Sequence, residues 1–308
     1  MVRIILKRPF GLTSTFEATM KQIIIIPILF LMCFGQDEPT AIKDYYHYSM
    51  EDIERLETEI EFGLGTLHLS ANEKPYQLDG SIYYSIKRGE PIVTMEKSNG
   101  VGNFEIEFEN NYEGIGLFFN KDELNIDGVK NEMDFQFPKD IPTELELEFG
   151  LGEADIDLTD ISISNFELEC GMSDVKVKIS EPNKIRCEKV SVEIGLTDFS
   201  CVGLGNLNAN TYEIELGLGD ADIDITGEFK QNAELEISVG LGSLDLVLPK
   251  NVNITLSVDH SFLASVDING LKKVSDKKYK SKNWNTDFLS LDIEISLGLG
   301  DVNVRVER

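Results

Sequence analysis

The stretch Leu147 to Leu158, LEFGLGEADIDL, decides the fold. Apolar residues alternate with acidic ones up to Gly150, a Gly-Leu-Gly break follows, and alternation resumes through Ala154, Ile156 and Leu158. Alternation with period two is the mark of a strand with one buried face, so the stretch reads as strand, corner, strand. The phrase recurs around Gly171 (LECGMSDVKVKI), Gly195 (VEIGLTDFSCV), Gly217 (IELGLGDADIDI), Gly240 (ISVGLGSLDLVL) and Gly298 (ISLGLGDVNVRV), with an earlier copy at Gly63 (IEFGLGTLHL). Glycines from Gly150 to Gly240 are separated by 21, 24, 22 and 23 residues. A period near 22 without a helical pattern predicts an all-β chain. Its main body is expected to be a parallel β-solenoid, β-helix-like, with about 22 residues per coil and each coil stacked on its neighbour.

If the first glycine of each copy is zero, the inward positions are one, three and five before it and four, six and eight after it. This gives apolar ladders such as Leu147, Leu168, Val192, Ile214 and Ile237. Cys170 and Cys201 occupy ladder positions and read as small buried hydrophobes. Together with Cys187 they make an odd number, and one bridge among them stays open. The outward positions are acidic. Glu148, Glu169, Glu193 and Glu215 stand two before the glycine, and Glu153, Asp174, Asp198 and Asp220 stand three after it.

The rest of the chain divides around these repeats. Residues 1–35 hold one apolar run, Ile23 to Phe34, too short to cross a bilayer and suited to a secretory leader starting at Met20. The nineteen residues before Met20 read as a spurious extension. Cleavage after Gly35 is expected, with lipidation at Cys33 as the rival. The product would be exported, periplasmic or extracellular, with no transmembrane helix in the mature chain. Residues 36–143 read as a smaller antiparallel β domain or cap. Its strands are Ile60 to Leu69, Tyr76 to Lys87, Ile92 to Lys97, Asn103 to Glu109, Glu123 to Ile126 and Met133 to Phe137, and Glu38 to Glu54 is taken as polar, aromatic and without chemistry. Residues 144–308 are the repeat domain. In it Asn251 to Asn269 reads as a degenerate coil, and the copy at Gly298 closes the stack.

With 28 basic against 55 acidic residues, the net charge of −27 excludes nucleic acid as a partner unless a basic face is hidden. No GxSxG, HExxH, phosphate loop or zinc pattern occurs. His47, His68 and His260 lie far apart and match no catalytic pattern. No catalytic residue and no organic cofactor is assigned, and the chain is expected not to be an enzyme. The corner acids Glu153, Asp174, Asp198 and Asp220 have two readings: caps of their own turns, or, with turn carbonyls, ligands of calcium. Lys272, Lys273, Lys277, Lys278, Lys280 and Lys282 are the one concentration of positive charge. They read either as a guarded sheet edge or as the contact for an acidic partner or anionic envelope polymer.

The repeats from Leu145 to Leu248, followed by Asp259 to Asp267 (DHSFLASVD) and Gly270-Leu271, resemble the bacterial toast-rack family, and Glu59 to Leu69 and Gly100 to Glu107 resemble that family's N-terminal domain. The C-terminal part is similar to the extracytoplasmic domain of LiaF-type cell-wall-active antibiotic response proteins. The resemblance implies a non-enzymatic accessory of the cell envelope, in binding or stress response, and carries no catalytic residues with it. LiaF-type regulators are anchored by several membrane helices, whereas this chain carries only the leader. An unidentified envelope protein or polymer is therefore the expected partner. A structural or adhesin-like surface protein is the alternative, and a polysaccharide-active enzyme a minor one.

Overall fold

Most repeats become one long strand bent at a corner that opens on glycine, with alternation placing side chains on opposite faces; the Gly195 copy is two shorter strands. The computed structural model describes residues 41–86, 89–108, 131–196, 198–260 and 264–307; the leader and the strand expected at Glu123 to Ile126 lie outside them. The described chain is all-β apart from short 3-10 turns. Its strands are β1 (Ala41–Ser49), β2 (Arg55–Ala71), β3 (Gln77–Ser85), β4 (Pro91–Ser98), β5 (Val101–Phe108), β6 (Glu132–Phe137), β7 (Thr143–Asp157), β8 (Ile163–Lys178), β9 (Cys187–Leu196), β10 (Phe199–Val202), β11 (Ala209–Asp224), β12 (Ala233–Leu248), β13 (Asn253–His260), β14 (Ser265–Asn269), β15 (Leu271–Ser275), β16 (Lys278–Ser281) and β17 (Ser290–Val306).

Successive layers pair in parallel and in register. β2 lies against β7, β7 against β8, β8 against β9 and β10, these against β11, β11 against β12, and β12 against β17. The apolar ladder therefore runs Ile60, Leu147, Leu168, Val192, Ile214, Ile237, Ile295, every member buried. β5 and β6 share the outer edge of β2, and β13 and β14 share that of β17. Antiparallel strands finish both ends: β4 on β5, β3 on β6 and β1 on β3 at one, and β16 on β13 and β15 on β16 at the other. One core of buried residues threads the layers and both ends.

Two features of the sequence reading are corrected here. The copy at Gly63 is the first parallel layer of the stack, and the antiparallel strands lie beyond it. The copy at Gly298 does not close the stack; β17 inserts between β12 and β13, leaving the stretch read as a degenerate coil outside it. At the corner β12 and β17 approach closely. A Cβ on Gly298 would stand 2.3 Å from the Gly240 carbonyl oxygen, and one on Gly300 1.8 Å from that of Gly242. Glycine at both places lets β17 approach β12 this closely.

Candidate functional site: the corner groove

Alternation points residues four and two before the glycine outward, and the glycine itself is the next outward position. With no side chain there, each layer has a notch beside the corner, and stacking turns seven notches into a groove of about 1100 Å³. Six layer spacings of about 4.8 Å give it a length of about 29 Å. Glycine backbone forms the floor, together with the buried residue before each glycine: Phe62, Phe149, Cys170, Ile194, Leu216, Val239 and Leu297. One wall is the column Glu61, Glu148, Glu169, Glu193 and Glu215, continued by Ser238 and Ser296. Phe108 stands at the β2 end and Asp259 at the β17 end, where the Lys277 ammonium donates to Asp259.

The residue after each glycine makes a second column. Leu196, Leu218, Leu241 and Leu299 are 40–48% exposed, unlike the leucines of the ladders. A run of leucines held open to solvent by the backbone of four consecutive layers is an exposed apolar patch that folding does not use. Beside it the acids are short of counter-charge. Among the described residues no basic side chain makes an ion pair with Glu148, Glu169, Glu193 or Glu215, while Lys178 reaches Asp157 at 3.0 Å and Lys189 reaches Glu213 at 2.6 Å on other columns. The carboxyls of Glu61 and Glu169 lie above the ordinary glutamate value, first through burial and then through like-charged neighbours, Glu148 being one of them in both cases.

Glu153, Asp174, Asp198 and Asp220 also stack into one exposed column, on the far side of the corner. The Asp220 carboxylate accepts from the Ser243 backbone N–H at 3.1 Å, so it caps the corner of the next layer and not its own. Among the described residues no three His, Cys, Asp or Glu side chains come close enough together to hold a metal ion. The lysines are gathered on one hairpin: Lys272 and Lys273 on β15, Lys278 and Lys280 on β16, Lys277 between them and Lys282 beyond. Half of them are engaged within the chain. Lys277 meets Asp259, Lys273 lies 3.5 Å from Asp276, and the Lys280 ammonium lies 5.2 Å from the centre of the Trp284 ring. Cys170, Cys187 and Cys201 are free and buried, and burial pushes the Cys170 thiol up to about 11 and the Cys187 thiol up to about 12. Neither is a thiolate at neutral pH.

The groove itself was missed by the sequence reading, although its acidic column was counted there. The available signal was a glycine in an outward position of every repeat, followed by a leucine, or by Met172 in one copy, that no ladder needs.

The family model for the N-terminal domain of toast_rack, DUF2154, matches residues 36–202, more than half of the chain. The chain belongs to the toast_rack family. Within this toast_rack chain the matched span holds the first layers of the stack, with Glu61, Glu148, Glu169 and Glu193 of the acidic wall. Among solved structures, one from Clostridium sporogenes, provisionally named a cell adhesion protein, is 20% identical. The match covers 86% of this chain and 99% of that one, with a TM-score of 0.46. One from Bacteroides fragilis, provisionally named an adhesin, is 10% identical over 86% of this chain and 97% of that one, with a TM-score of 0.37. One from Parabacteroides distasonis, provisionally named a lipid binding protein, is 10% identical over the same shares, with a TM-score of 0.22. At these scores the likenesses do not bear on the function of the toast_rack chain. No curated protein matches it.

Proposed function

We propose that this protein is a non-enzymatic binding module of the cell envelope: an exported β-solenoid that holds an elongated partner in its corner groove. The observation that carries this reading is the coincidence, along one line of the stack, of a continuous groove, a wall of acids without ion-pair partners among the described residues and a column of exposed leucines beside it. A bound chain would cover the leucines and supply counter-charge to the glutamates. Catalysis asks for a nucleophile, a base and an orienting group converging on one point; repeating columns instead offer the same contact in every layer, which suits recognition of a repeating or extended ligand. Among the described residues no helix is long and apolar enough to cross a membrane, and export through a leader remains part of the proposal.

Photo-crosslinking in living cells tests the reading. Benzoylphenylalanine at Leu218, on the exposed column, should give a discrete adduct, whereas the same residue at Asp222, on the outer face of the other arm, should not. Equal labelling from both positions, or none from Leu218, contradicts the groove as the binding surface. A second reading, a structural or adhesin-like surface protein, draws on the regular stack as a stiff support. It predicts attachment phenotypes that survive Leu218→Ser and Leu241→Ser together.

A further inference from the structure

We propose that the corner groove takes an extended basic polypeptide segment in the polyproline II conformation, with Lys or Arg at every third residue. This rests on the groove being the binding surface. Three observations narrow the occupant. The first is width: about 1100 Å³ over about 29 Å leaves a mean cross-section of about 40 Å². An α-helix with its side chains, about 10–12 Å across, needs at least twice that. A single extended chain needs about 4.8 by 10 Å and fits with one side open.

The second is charge. Five glutamates line the wall in consecutive layers, so anionic chains, including fatty acids and acidic glycans, are repelled along its length, and a polycation is attracted. The third is repeat length. A β-strand presents same-side residues every 6.6–6.8 Å, which falls out of step with a 4.8 Å ladder at the first interval. Polyproline II presents them every three residues, about 9.3 Å, against about 9.6 Å for two layers, and drifts by less than about 1 Å over the groove. Basic residues at i, i+3 and i+6 would then meet Glu61, Glu169 and Glu215, which stand in alternate layers. The residues between them come beside the exposed Leu196 and Leu218, which follow the groove-lining Gly195 and Gly217, and a residue past i+6 comes beside Leu241. Polyproline II is also favoured before binding, so less chain entropy is lost on docking.

The test is fluorescence anisotropy at low salt with the purified chain and three labelled dodecapeptides: (Pro-Pro-Lys)4, an isomer with its four lysines in one block, and (Pro-Pro-Glu)4. The first should bind about tenfold more tightly than its isomer, and the third should not bind. Glu169→Gln with Glu215→Gln should weaken the first about tenfold and leave the blocked isomer nearly unchanged, with a melting temperature no lower than the parent's confirming the fold. Asp222→Asn should change nothing. Equal binding of the two lysine peptides overturns the repeat match. Binding of the acidic peptide, or no binding of (Pro-Pro-Lys)4 to the parent chain, overturns the ligand class. If Leu218 still crosslinks in cells when the peptide fails, the groove remains the binding surface and only the ligand class falls. If both fail, both readings fall.

Discussion

Ile214 is 1% exposed and stands between Val192 and Ile237 in neighbouring layers. Ile214→Asp places a charge there with no partner, a change that costs more than about 4 kcal/mol. Chemical denaturation should show the loss, and a variant that melts within a few degrees of the parent would refute the inward assignment. The glycines make a graded prediction. A Cβ on Gly195 would lie 2.9 Å from the Gly171 carbonyl oxygen, whereas one on Gly242 would lie 1.7 Å from that of Gly219, at a φ of +149°. Gly242→Ala should therefore cost more than about 2 kcal/mol and Gly195→Ala distinctly less, since only the former meets both a backbone clash and a left-handed conformation. Equal midpoints in urea would contradict the stacking geometry. Other residues matter in ways that alternation does not reveal. Asn183 is buried, donates to the Ile163 carbonyl at 2.7 Å and accepts from the Ile163 N–H at 3.2 Å, joining two layers through a return loop. Nothing in its sequence neighbourhood distinguishes it from a loop asparagine.

The acidic wall behaves as one element. Burial and like-charged neighbours hold Glu61 and Glu169 of the wall, and Glu146 of the outward column beside it, above the ordinary glutamate value. A carboxyl with a raised folded-state pKa favours the folded chain fully below its unfolded value, and that contribution is lost as pH rises through the folded value. Stability from this column should thus increase as pH falls from 7 through the raised values towards the ordinary one. Asp157 acts in a separate, more acid window. Burial pushes its carboxyl up, but hydrogen bonds from Thr159 and Lys178 bring it below the ordinary value, so its contribution is lost only as pH falls further. NaCl at pH 7 should reproduce part of the first effect by screening, and Glu169→Gln should remove part of it while raising stability at pH 7 by at most about 0.5 kcal/mol, because the column is exposed. A urea midpoint that falls steadily from pH 7 to 5 would contradict this. Elements also differed in how readable they were. The long bent strands were legible because nearly every inward position is apolar, the buried Thr58 of β2 being an exception. β1 was not, because Asp44 fills one of its inward positions, where it accepts from the Tyr84 hydroxyl at 3.1 Å, and a buried acid disguises the alternation. The groove was illegible for a different reason: an outward glycine signifies nothing in a single strand and becomes a notch only when neighbouring layers repeat it.

At the scale of the whole molecule, the repeats specify what each layer looks like but not the order of all the layers. From β7 to β12 sequence order and spatial order agree, and the sequence reading placed those residues correctly. At the ends they part company: β5 and β6 share the outer edge of β2, and β13 and β14 share that of β17, which follows them in sequence but lies inside them. This order makes the groove continuous from Phe62 to Leu297. It also places Asp301 beyond Ser243 in the corner column, a neighbour that spacing alone could not supply. Site-directed disulfide formation tests that order most directly, in a background lacking Cys170, Cys187 and Cys201. Ser238 and Ser296 are register partners in adjacent layers, about 4.8 Å apart, within the range a disulfide spans, whereas Asp259 is partnered with Ser296 and lies about 9.6 Å from Ser238. On mild oxidation, Ser238→Cys with Ser296→Cys should form an intramolecular bridge, and Ser238→Cys with Asp259→Cys should not. The reverse outcome would place β13 directly on β12, and both the inserted layer and the continuous groove would be wrong.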